Sequence, residues 1–393
     1  MIDMERIGIK PARRVENIKE YYFSIKLKEV ARLNAESKDI VSLGVGGPDL
    51  PPAGEVIERL GEVARKVDVH SYQPTSGIKE LREAYSRWYS RWYGVELDPA
   101  SEIQPLIGSK EGILTVNLAF LNPGDGVLVP DPGYPTYTSG SELVEADIYK
   151  YNLKEENGWY PDFDELEKLP LERIKLMWVN YPNMPTGVSA TAELYKRLVD
   201  FGRAHNIVIV NDNPYSFILH DKPMSILSVD GAKEVAIEMN SLSKSHNMAG
   251  WRMAMLASNS DFVGWVLKVK SNIDSGQFRP MMEAAVEALS LGQDWYDGVN
   301  KVYSVRRKLA EKLMSALHCT FDSRQRGLFL WGRIPAGAGS SEAFADKLLY
   351  GARVFVTPGT VFGSNGEGYI RISLCANEDK FNEALKRIEN FKI

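Results

Sequence analysis

The sequence predicts an α/β protein with two lobes, a large one built on a mostly parallel sheet and a smaller α+β one. Its 393 residues exceed what one hydrophobic core usually serves. From residue 109 to 258, continuous hydrophobic runs alternate with helical stretches, as in parallel sheets covered on both faces. Polar residues follow several of these runs, and open α/β sheets bind ligands at the carboxyl ends of their strands.

In chain order, helices are predicted first at 55–66 and 78–93, where apolar residues recur every three or four positions. A further helix is expected from Ser109 to Leu121, before the turn Asn122-Pro123-Gly124, and another at 189–204. The predicted strands of the large lobe are VLVPD (127–131), LMWVNY (176–181), IVIVND (207–212), AIEMNS (236–241) and RMAMLAS (252–258).

The C-terminal part mixes helices with short strands, which suits a smaller lobe. The first 40 residues show no strand, and we expect them to pack on that lobe or on a partner subunit. We therefore divide the chain into an arm that belongs partly to the small domain (1–45), a large ligand-binding domain (46–284) and a small domain (285–393). The elements predicted in the last part are helices at 281–291, 296–317 and 378–391 and strands near 328–333, 353–357 and 369–374.

Composition excludes several classes of function. The net charge of −5 argues against a nucleic-acid binder, which would carry a basic excess. No apolar run approaches the roughly 20 residues that span a bilayer, and the N-terminus has no secretory signal. The two cysteines, Cys319 and Cys375, stand in no metal-binding or disulfide pattern. We expect a cytoplasmic protein that binds neither a metal, nor nucleic acid, nor a membrane.

Chemically suggestive residues follow three of the strands. One strand runs into Asn180–Gly187, the next into Asp212–Tyr215 and a third into Ser241–Lys244, with Arg252 eight residues further on. A partly desolvated lysine near other cations is a nucleophile toward a carbonyl. A buried carboxylate keeps a heteroaromatic nitrogen protonated, and hydroxyl groups with an arginine bind phosphate. Pyridoxal phosphate (PLP) carries the matching aldehyde, pyridine nitrogen, phenolic oxygen and phosphate.

A second phosphate-binding element is Gly108-Ser109-Lys110, at the start of a predicted helix. The free N–H groups and the positive dipole end of a helix N-terminus favour an anion. The alternative is that Ser109 is an ordinary N-cap residue.

The motifs, in their order along nearly the whole chain, resemble those of the class I/II, fold type I PLP-dependent aminotransferases. The similar segments are YPNMPTG (181–187), DNPYS (212–216), SLSKSHNMAGWR (241–252) and RIS within GYIRISL (368–374). Within the family, LIGSKEGI (106–113), LNPGDGVLVPDPGYPTY (121–137), VKSNIDSG (269–276) and GEGYIRISL (366–374) look most like the LL-diaminopimelate branch. The resemblance implies the PLP-transferase fold type I, with a sheet of the seven-stranded type.

The resemblance also implies roles for single residues. Lys244 would carry PLP and shuttle the α-proton, and Asp212 would pair with the pyridine nitrogen. Arg371 would clamp the α-carboxylate of the substrate. The other positions are Asn183 and Tyr215 at the phenolic oxygen, Tyr134 stacked on the ring, Ser109, Lys110, Ser241, Ser243 and Arg252 as the phosphate cup, Tyr72 at the phosphate of the neighbouring subunit, and Gly46, Tyr21, Asn183 and Asn272 on the substrate side.

The expected activity is ping-pong transfer of the amino group of an L-amino acid to a 2-oxo acid, with 2-oxoglutarate as the expected acceptor. The donors considered are LL-diaminopimelate, aspartate, alanine and glutamate. Met184 and the pair Asn213-Pro214 depart from the family pattern at the pocket edge, where substrate choice is decided. Two alternatives are a C–S β-lyase and a non-catalytic regulator on the same fold. A homodimer is expected, with Tyr72 and Asn272 acting across the interface.

Overall fold

A seven-stranded sheet forms the centre of the large lobe. The protein is described by a computed structural model that covers residues 8–18, 20–36 and 38–391. Residues 1–7 of the predicted arm and 392–393 of the predicted small domain lie outside the described residues. The sheet order is β2-β8-β7-β6-β5-β3-β4, with β8 antiparallel to both of its neighbours. The large-lobe strands are β2 (Ile103–Leu106), β3 (Gly126–Asp131), β4 (Asp147–Asn152), β5 (Ile174–Val179), β6 (Val208–Asp212), β7 (Ala236–Ser241) and β8 (Ala254–Ala257).

Helices cover the sheet, and local sequence signals set their ends. The helix Ala192–His205 begins at Thr191, whose hydroxyl accepts a hydrogen bond from the Leu194 amide, and ends at Asn206 in the left-handed conformation. The α-helices are Arg13–Asn17, Tyr22–Ala35, Gly54–Ala64, Lys79–Tyr93, Ser109–Phe120, Pro135–Leu143, Phe163–Leu166, Ala192–His205, Leu242–Ser245, Ser260–Lys270, Arg279–Ser290, Gln293–Ala316, Ser341–Lys347 and Glu378–Glu389. Within the described ranges, none of them combines the length and apolar character needed to cross a bilayer.

The small lobe contains an antiparallel sheet of order β11-β12-β9 and the parallel pair β1-β10. The helix Tyr22–Ala35 packs here, because Val30 and Leu33 share a buried cluster with Leu349 and Phe355. This helix therefore packs on the C-terminal lobe as expected, whereas Arg13 forms an ion pair with Glu145 of the large lobe at 2.5 Å. The strands are β1 (Val41–Ser42), β9 (Phe329–Arg333), β10 (Val354–Phe355), β11 (Thr357–Pro358) and β12 (Tyr369–Ser373).

The predicted fold class is confirmed, and the differences concern single elements. The strand predicted at 236–241 is found with the same bounds, and the other predicted strands shift by a few residues. Two strands of the large lobe and the two-residue β1 of the small lobe were missed. β4 is an edge strand that mixes polar with apolar residues, and β2 is a four-residue edge strand that contains Pro105. Neither resembles the buried runs used to recognise the central strands.

The buried carboxylate of Asp131, at the end of β3, joins the two lobes. It is 2% exposed and accepts hydrogen bonds from the Ser364 amide (3.0 Å), the Ser364 hydroxyl (2.7 Å) and the Asn365 amide (2.9 Å). The Asp131 carbonyl accepts a further bond from the Asn365 side chain at 3.0 Å. Hydrogen bonds to a charged acceptor are stronger than neutral ones, so this residue fixes segment 364–365 against the central sheet.

We expect Asp131→Ala to lower the free energy of unfolding by about 3 kcal/mol, because buried N–H donors lose a charged acceptor. The control is Asp147→Ala, which removes an exposed ion pair with Arg173 (2.7 Å) and should cost less than about 1 kcal/mol. The measurement is urea denaturation of both variants. Equal midpoints for the two variants would contradict the assigned role of Asp131.

Candidate active site

A cavity of about 300 Å³ lies at the edge of the sheet where the parallel strands have their carboxyl ends. β3, β5, β6 and β7 all end there. β8 is antiparallel, so its first residues reach the same edge. β2 is antiparallel to β8 and therefore also ends there, just before Ser109. The predicted site residues that line the cavity are Tyr21, Gly46, Ser109, Lys110, Tyr134, Asp212, Tyr215, Ser241, Ser243, Lys244, Arg252 and Arg371.

The amine of Lys244 lies in this cavity, on the short helix that follows β7. Its Nζ donates a hydrogen bond to the carbonyl oxygen of Gly46. Burial lowers the pKa of Lys244, and the positive charges of Arg371 and Arg252 lower it further. A lysine with a lowered pKa offers more of the neutral amine, which is the form that attacks a carbonyl.

The carboxylate of Asp212, at the end of β6, is 4% exposed. Its Oδ2 accepts a hydrogen bond from the Tyr137 hydroxyl at 3.0 Å, whereas its Oδ1 has no partner among the described residues. Asn180 fixes the backbone here, because its Nδ2 donates to the Asp212 carbonyl at 2.5 Å. Burial raises the pKa of Asp212 to about 6. A buried acceptor without a donor is costly unless a ligand supplies one, and a protonated pyridine nitrogen would do so.

Hydroxyl groups, backbone amides and two cations form the predicted phosphate cup (Ser109, Lys110, Ser241, Ser243 and Arg252). The Oγ atoms of Ser241 and Ser243 are 2.9 Å apart, and the Ser243 amide donates to the Ser241 hydroxyl at 3.2 Å. Burial and the charge of Arg252 lower the pKa of Lys110. Two neighbouring cations at a helix N-terminus suit a dianion. Gly108 is required beside them, since its φ is +78° and a Cβ there would overlap the Arg252 guanidinium.

Arg371 lies on β12 and is 3% exposed. Its Nη2 donates to the Gly44 carbonyl at 2.8 Å, its Nη1 lies 3.3 Å from the sulfur of Met184, and its Nε has no partner among the described residues. Burial lowers the pKa of Arg371 to about 10, although the group stays charged at neutral pH. No described carboxylate forms an ion pair with it. A buried guanidinium with a free N–H fits the carboxylate of a ligand.

The remaining three predicted residues do not line the cavity. The side chain of Asn183 is buried, and its Oδ1 accepts hydrogen bonds from the amide (3.3 Å) and hydroxyl (2.7 Å) of Thr186. The neighbouring Met184 lines the cavity instead. Tyr72 is 91% exposed, and the exposed Asn272 donates from Nδ2 to the Lys268 carbonyl at 2.8 Å. Within one chain, the structure therefore does not bring Asn183, Tyr72 or Asn272 to the site.

Several site residues were missed at the level of sequence. Tyr137 follows Tyr134 by three residues, and this helical spacing would have placed both side chains on one face. Asn180 immediately precedes the recognised motif YPNMPTG (181–187) but was given no role. The aromatic wall, which we define as Phe23, Phe329 and Phe362, gave no local signal because buried aromatic residues usually belong to the core. The described residues contain no cluster of three or more His, Cys, Asp or Glu side chains that could hold a metal ion.

Comparisons with known proteins agree with this geometry. The family model "Aminotransferase class I and II" matches residues 38–388. The chain is 40% identical to the LL-diaminopimelate aminotransferase of Aquifex aeolicus over 97% of this chain and 98% of the relative. It is 38% identical to the enzyme of that name from Dehalococcoides mccartyi, over 98% of this chain and 99% of the relative.

A solved structure supports the same assignment. Apo-BacF from Bacillus subtilis superposes with a TM-score of 0.93 at 35% identity and covers 97% of this chain and 98% of its own. The unpartnered oxygen of Asp212, the amine of Lys244 and the phosphate cup also fit the groups of PLP that the sequence predicted. The chain therefore belongs to the class I and II aminotransferase family and is a PLP-dependent aminotransferase.

Proposed function

We propose that this protein uses Lys244 and Asp212 to transfer the amino group of an L-amino acid to 2-oxoglutarate by a ping-pong mechanism. The single observation that carries the proposal is the cavity itself, which the amine of Lys244, the carboxylate of Asp212 and the phosphate cup all line. The names of the curated relatives support LL-diaminopimelate as the first donor to test, with aspartate, alanine and glutamate next. They give no support to a C–S β-lyase.

The residues around the cavity have separate roles in binding the cofactor and in catalysis. Bound PLP supplies an aldehyde for the amino group and an electron-accepting ring. Lys244 would hold the cofactor covalently and, once released, its neutral amine would accept the α-proton of the substrate and deliver it to the former aldehyde carbon. Asp212 would keep a negative charge for the ring nitrogen, Tyr215 would donate to the phenolic oxygen and Tyr134 would stack on the ring. The cup residues Ser109, Ser241, Ser243 and Arg252 would hold the phosphate.

The substrate end is held by cations. Arg371 binds the α-carboxylate with two parallel N–H donors. For the second carboxylate of 2-oxoglutarate we assign Lys110, whose Nζ lies 4.1 Å from the ring centroid of Tyr21, on the substrate side of the cavity. Gly46 permits close approach, because a Cβ there would come within 2.5 Å of the Phe329 ring. Asn183 keeps no direct role in this proposal, since it does not line the cavity.

We also propose a homodimer with shared active sites. The segment that carries Tyr72 and the one that carries Asn272 touch each other, through a hydrogen bond of 3.3 Å from the Thr75 hydroxyl to the Asp274 carbonyl. Apolar side chains on these segments are exposed, among them Val67 (96%), Tyr72 (91%), Ile273 (51%) and Phe278 (40%). Exposed apolar patches of this kind mark interaction surfaces. Across a two-fold axis, Tyr72 and Asn272 would reach the site of the partner subunit.

Two further assignments remain predictions. The division into 1–45, 46–284 and 285–393 agrees with the separate sheets of the two lobes. A cytoplasmic location is compatible with the two cysteines, since neither Cys319 nor Cys375 forms a disulfide.

An amino-acid donor added alone should bleach the visible absorbance band of the PLP-loaded enzyme and release one equivalent of 2-oxo acid, because transamination stops halfway without an acceptor. Cysteine-type substrates should release no pyruvate and ammonia together. In Lys244→Ala the visible band should be absent, since the amine that binds the aldehyde is gone. Lys233→Ala is the control, because Lys233 pairs with Glu102 away from the site. An unchanged spectrum in Lys244→Ala would refute the proposal.

Asp212 should make the stability of the cofactor-free protein depend on pH. Its pKa is about 6 in the folded chain and 3.8 as the ordinary value, so the folded state holds the proton more tightly. The contribution of Asp212 to the stability of the fold is therefore greatest below pH 4 and is lost as the pH rises through 6. At pH 8 we expect the free energy of unfolding of cofactor-free Asp212→Asn to exceed that of the wild type by up to about 3 kcal/mol.

That difference should shrink between pH 8 and pH 4, as measured by urea denaturation. The same variant should bind PLP more weakly than the wild type, since it lacks the charge that pairs with the ring nitrogen. Asp147→Asn, at an exposed position, is the matched control. If cofactor-free Asp212→Asn were less stable than the wild type at pH 8, the prediction that the buried charge of Asp212 destabilises the cofactor-free protein would be wrong.

Shared sites can be tested by complementation. Tyr72→Ala and Lys244→Ala should each be poorly active, whereas their refolded mixture should recover about a quarter of wild-type activity, because half of the dimers are mixed and each contains one intact site. Light scattering should give twice the 44.1 kDa mass of one chain. An active monomer, or a mixture with no recovery, would exclude shared sites.

A further inference from the structure

The part of the cavity that receives the substrate side chain has a chemistry that the proposed function leaves open. Resting on that function, we propose that this site is built for a bulky apolar side chain and that an aromatic L-amino acid is a donor of this enzyme. The inference stands on three observations: the rings around Arg371, the packing that holds those rings in place, and the distribution of charge along the cavity lining.

The aromatic wall surrounds the group that holds the α-carboxylate. The carbon of the Arg371 guanidinium lies 4.0 Å from the ring centroid of Phe329, 4.6 Å from that of Phe362 and 5.4 Å from that of Phe23. The same three rings line the cavity, so a substrate whose carboxylate is bound by Arg371 would have them within reach of its side chain. Rings attract other rings in edge-to-face or offset geometry. Other apolar or aromatic residues that line the cavity include Tyr21, Val45, Met184 and Tyr134.

These rings are fixed rather than adaptable. Phe23, Phe329 and Phe362 are each less than a tenth exposed. Phe329 packs at 5.8 Å against Tyr215, and Phe362 at 6.0 Å against Trp331. A rigid apolar surface loses little conformational entropy when a ligand binds, so its contact area converts into affinity. Met184 adds a polarizable thioether that fits the edge of a ring.

The charged side chains along the cavity lining provide an observation that does not depend on the rings. Among the described residues, the cavity lining contains one acidic side chain, Asp212, and its free oxygen is assigned to the cofactor. A second ammonium group on a donor would therefore be buried without a counter-ion from this chain, which is costly. The stretches immediately around Tyr72 and Asn272 add no unpaired acid, and Asp68 lies four residues before Tyr72. Residues 69–78 contain no acid, and Asp274 is paired with Lys270 at 2.5 Å.

One site can then serve both halves of the reaction. Lys110 offers a single cation for the second carboxylate of the acceptor, and the aromatic wall receives the ring of the donor. The two substrates share the Arg371 clamp and differ only in which of these surfaces they use. This arrangement would let the enzyme bind an acidic acceptor and an apolar donor in turn without a rearranged backbone.

The first experiment measures binding to the PLP-loaded enzyme by calorimetry, with carboxylates that cannot react. We expect 3-phenylpropionate to bind at least about tenfold more tightly than propionate, since it buries an additional ring. Half-reactions with phenylalanine, LL-diaminopimelate and alanine are followed by bleaching of the visible band, and phenylalanine should react. Equal affinity for the two carboxylates, or no reaction with phenylalanine, would overturn the proposal.

Variants test whether the aromatic wall causes the preference for 3-phenylpropionate over propionate. Phe362→Leu and Phe23→Leu should each weaken 3-phenylpropionate binding by several-fold to about tenfold while propionate changes little, because an edge-to-face partner is lost but the clamp is kept. Phe262→Leu is the control, since Phe262 packs against Phe120 outside the cavity. Parallel losses for both carboxylates in the two wall variants would overturn the assignment.

The half-reactions distinguish a failure of the aromatic-donor proposal from a failure of the proposed aminotransferase function. If LL-diaminopimelate or alanine bleaches the band and phenylalanine does not, the aromatic donor is excluded and the aminotransferase function stands. If no amino acid bleaches the band, the proposed function fails and the donor assignment fails with it.

Discussion

The buried carboxylate of Asp212 is the group on which the rest of the site depends. One of its oxygens accepts from Tyr137 and the other has no partner among the described residues, while burial raises its pKa to about 6. A charge in such a place destabilises the protein unless a cation sits opposite. The sheet supplies the rigidity that keeps the carboxylate there, because β6 lies between β5 and β7 and is covered on both faces.

The cavity is assembled from two sources that the chain brings together only on folding. The end of the cavity that is proposed to bind the cofactor comes from the large sheet, whose strand ends deliver Asp212, Lys244 and the phosphate cup. The end that is proposed to bind the substrate comes from the small lobe and the N-terminal segment, which deliver Arg371 on β12, Phe329 on β9 and Phe23 near the start of the helix Tyr22–Ala35. Asp131 ties the two together through Ser364 and Asn365.

Met184 illustrates how one residue can alter the character of a site without touching its core chemistry. Its amide is held by the side-chain oxygen of Asn180 at 2.7 Å, and its sulfur lies against the Arg371 guanidinium. A thioether donates no hydrogen bond and prefers aromatic or apolar neighbours. The clamp of this enzyme is thus enclosed by sulfur and rings, and that enclosure lowers the pKa of Arg371 through desolvation.

The sequence by itself determined the fold class, the central parallel strands and most of the residues that line the cavity, because those features are local. Buried parallel strands are continuous apolar runs, and Lys244, Asp212 and Arg252 follow or precede such runs directly. The tertiary structure alone decided which side chain of the pair Asn183 and Met184 faces the cavity, since neighbouring loop residues point in different directions that no periodicity reports. It alone assembled the aromatic wall around Arg371, because Phe23, Phe329 and Phe362 lie far apart in the chain and each resembles an ordinary core residue until the lobes meet.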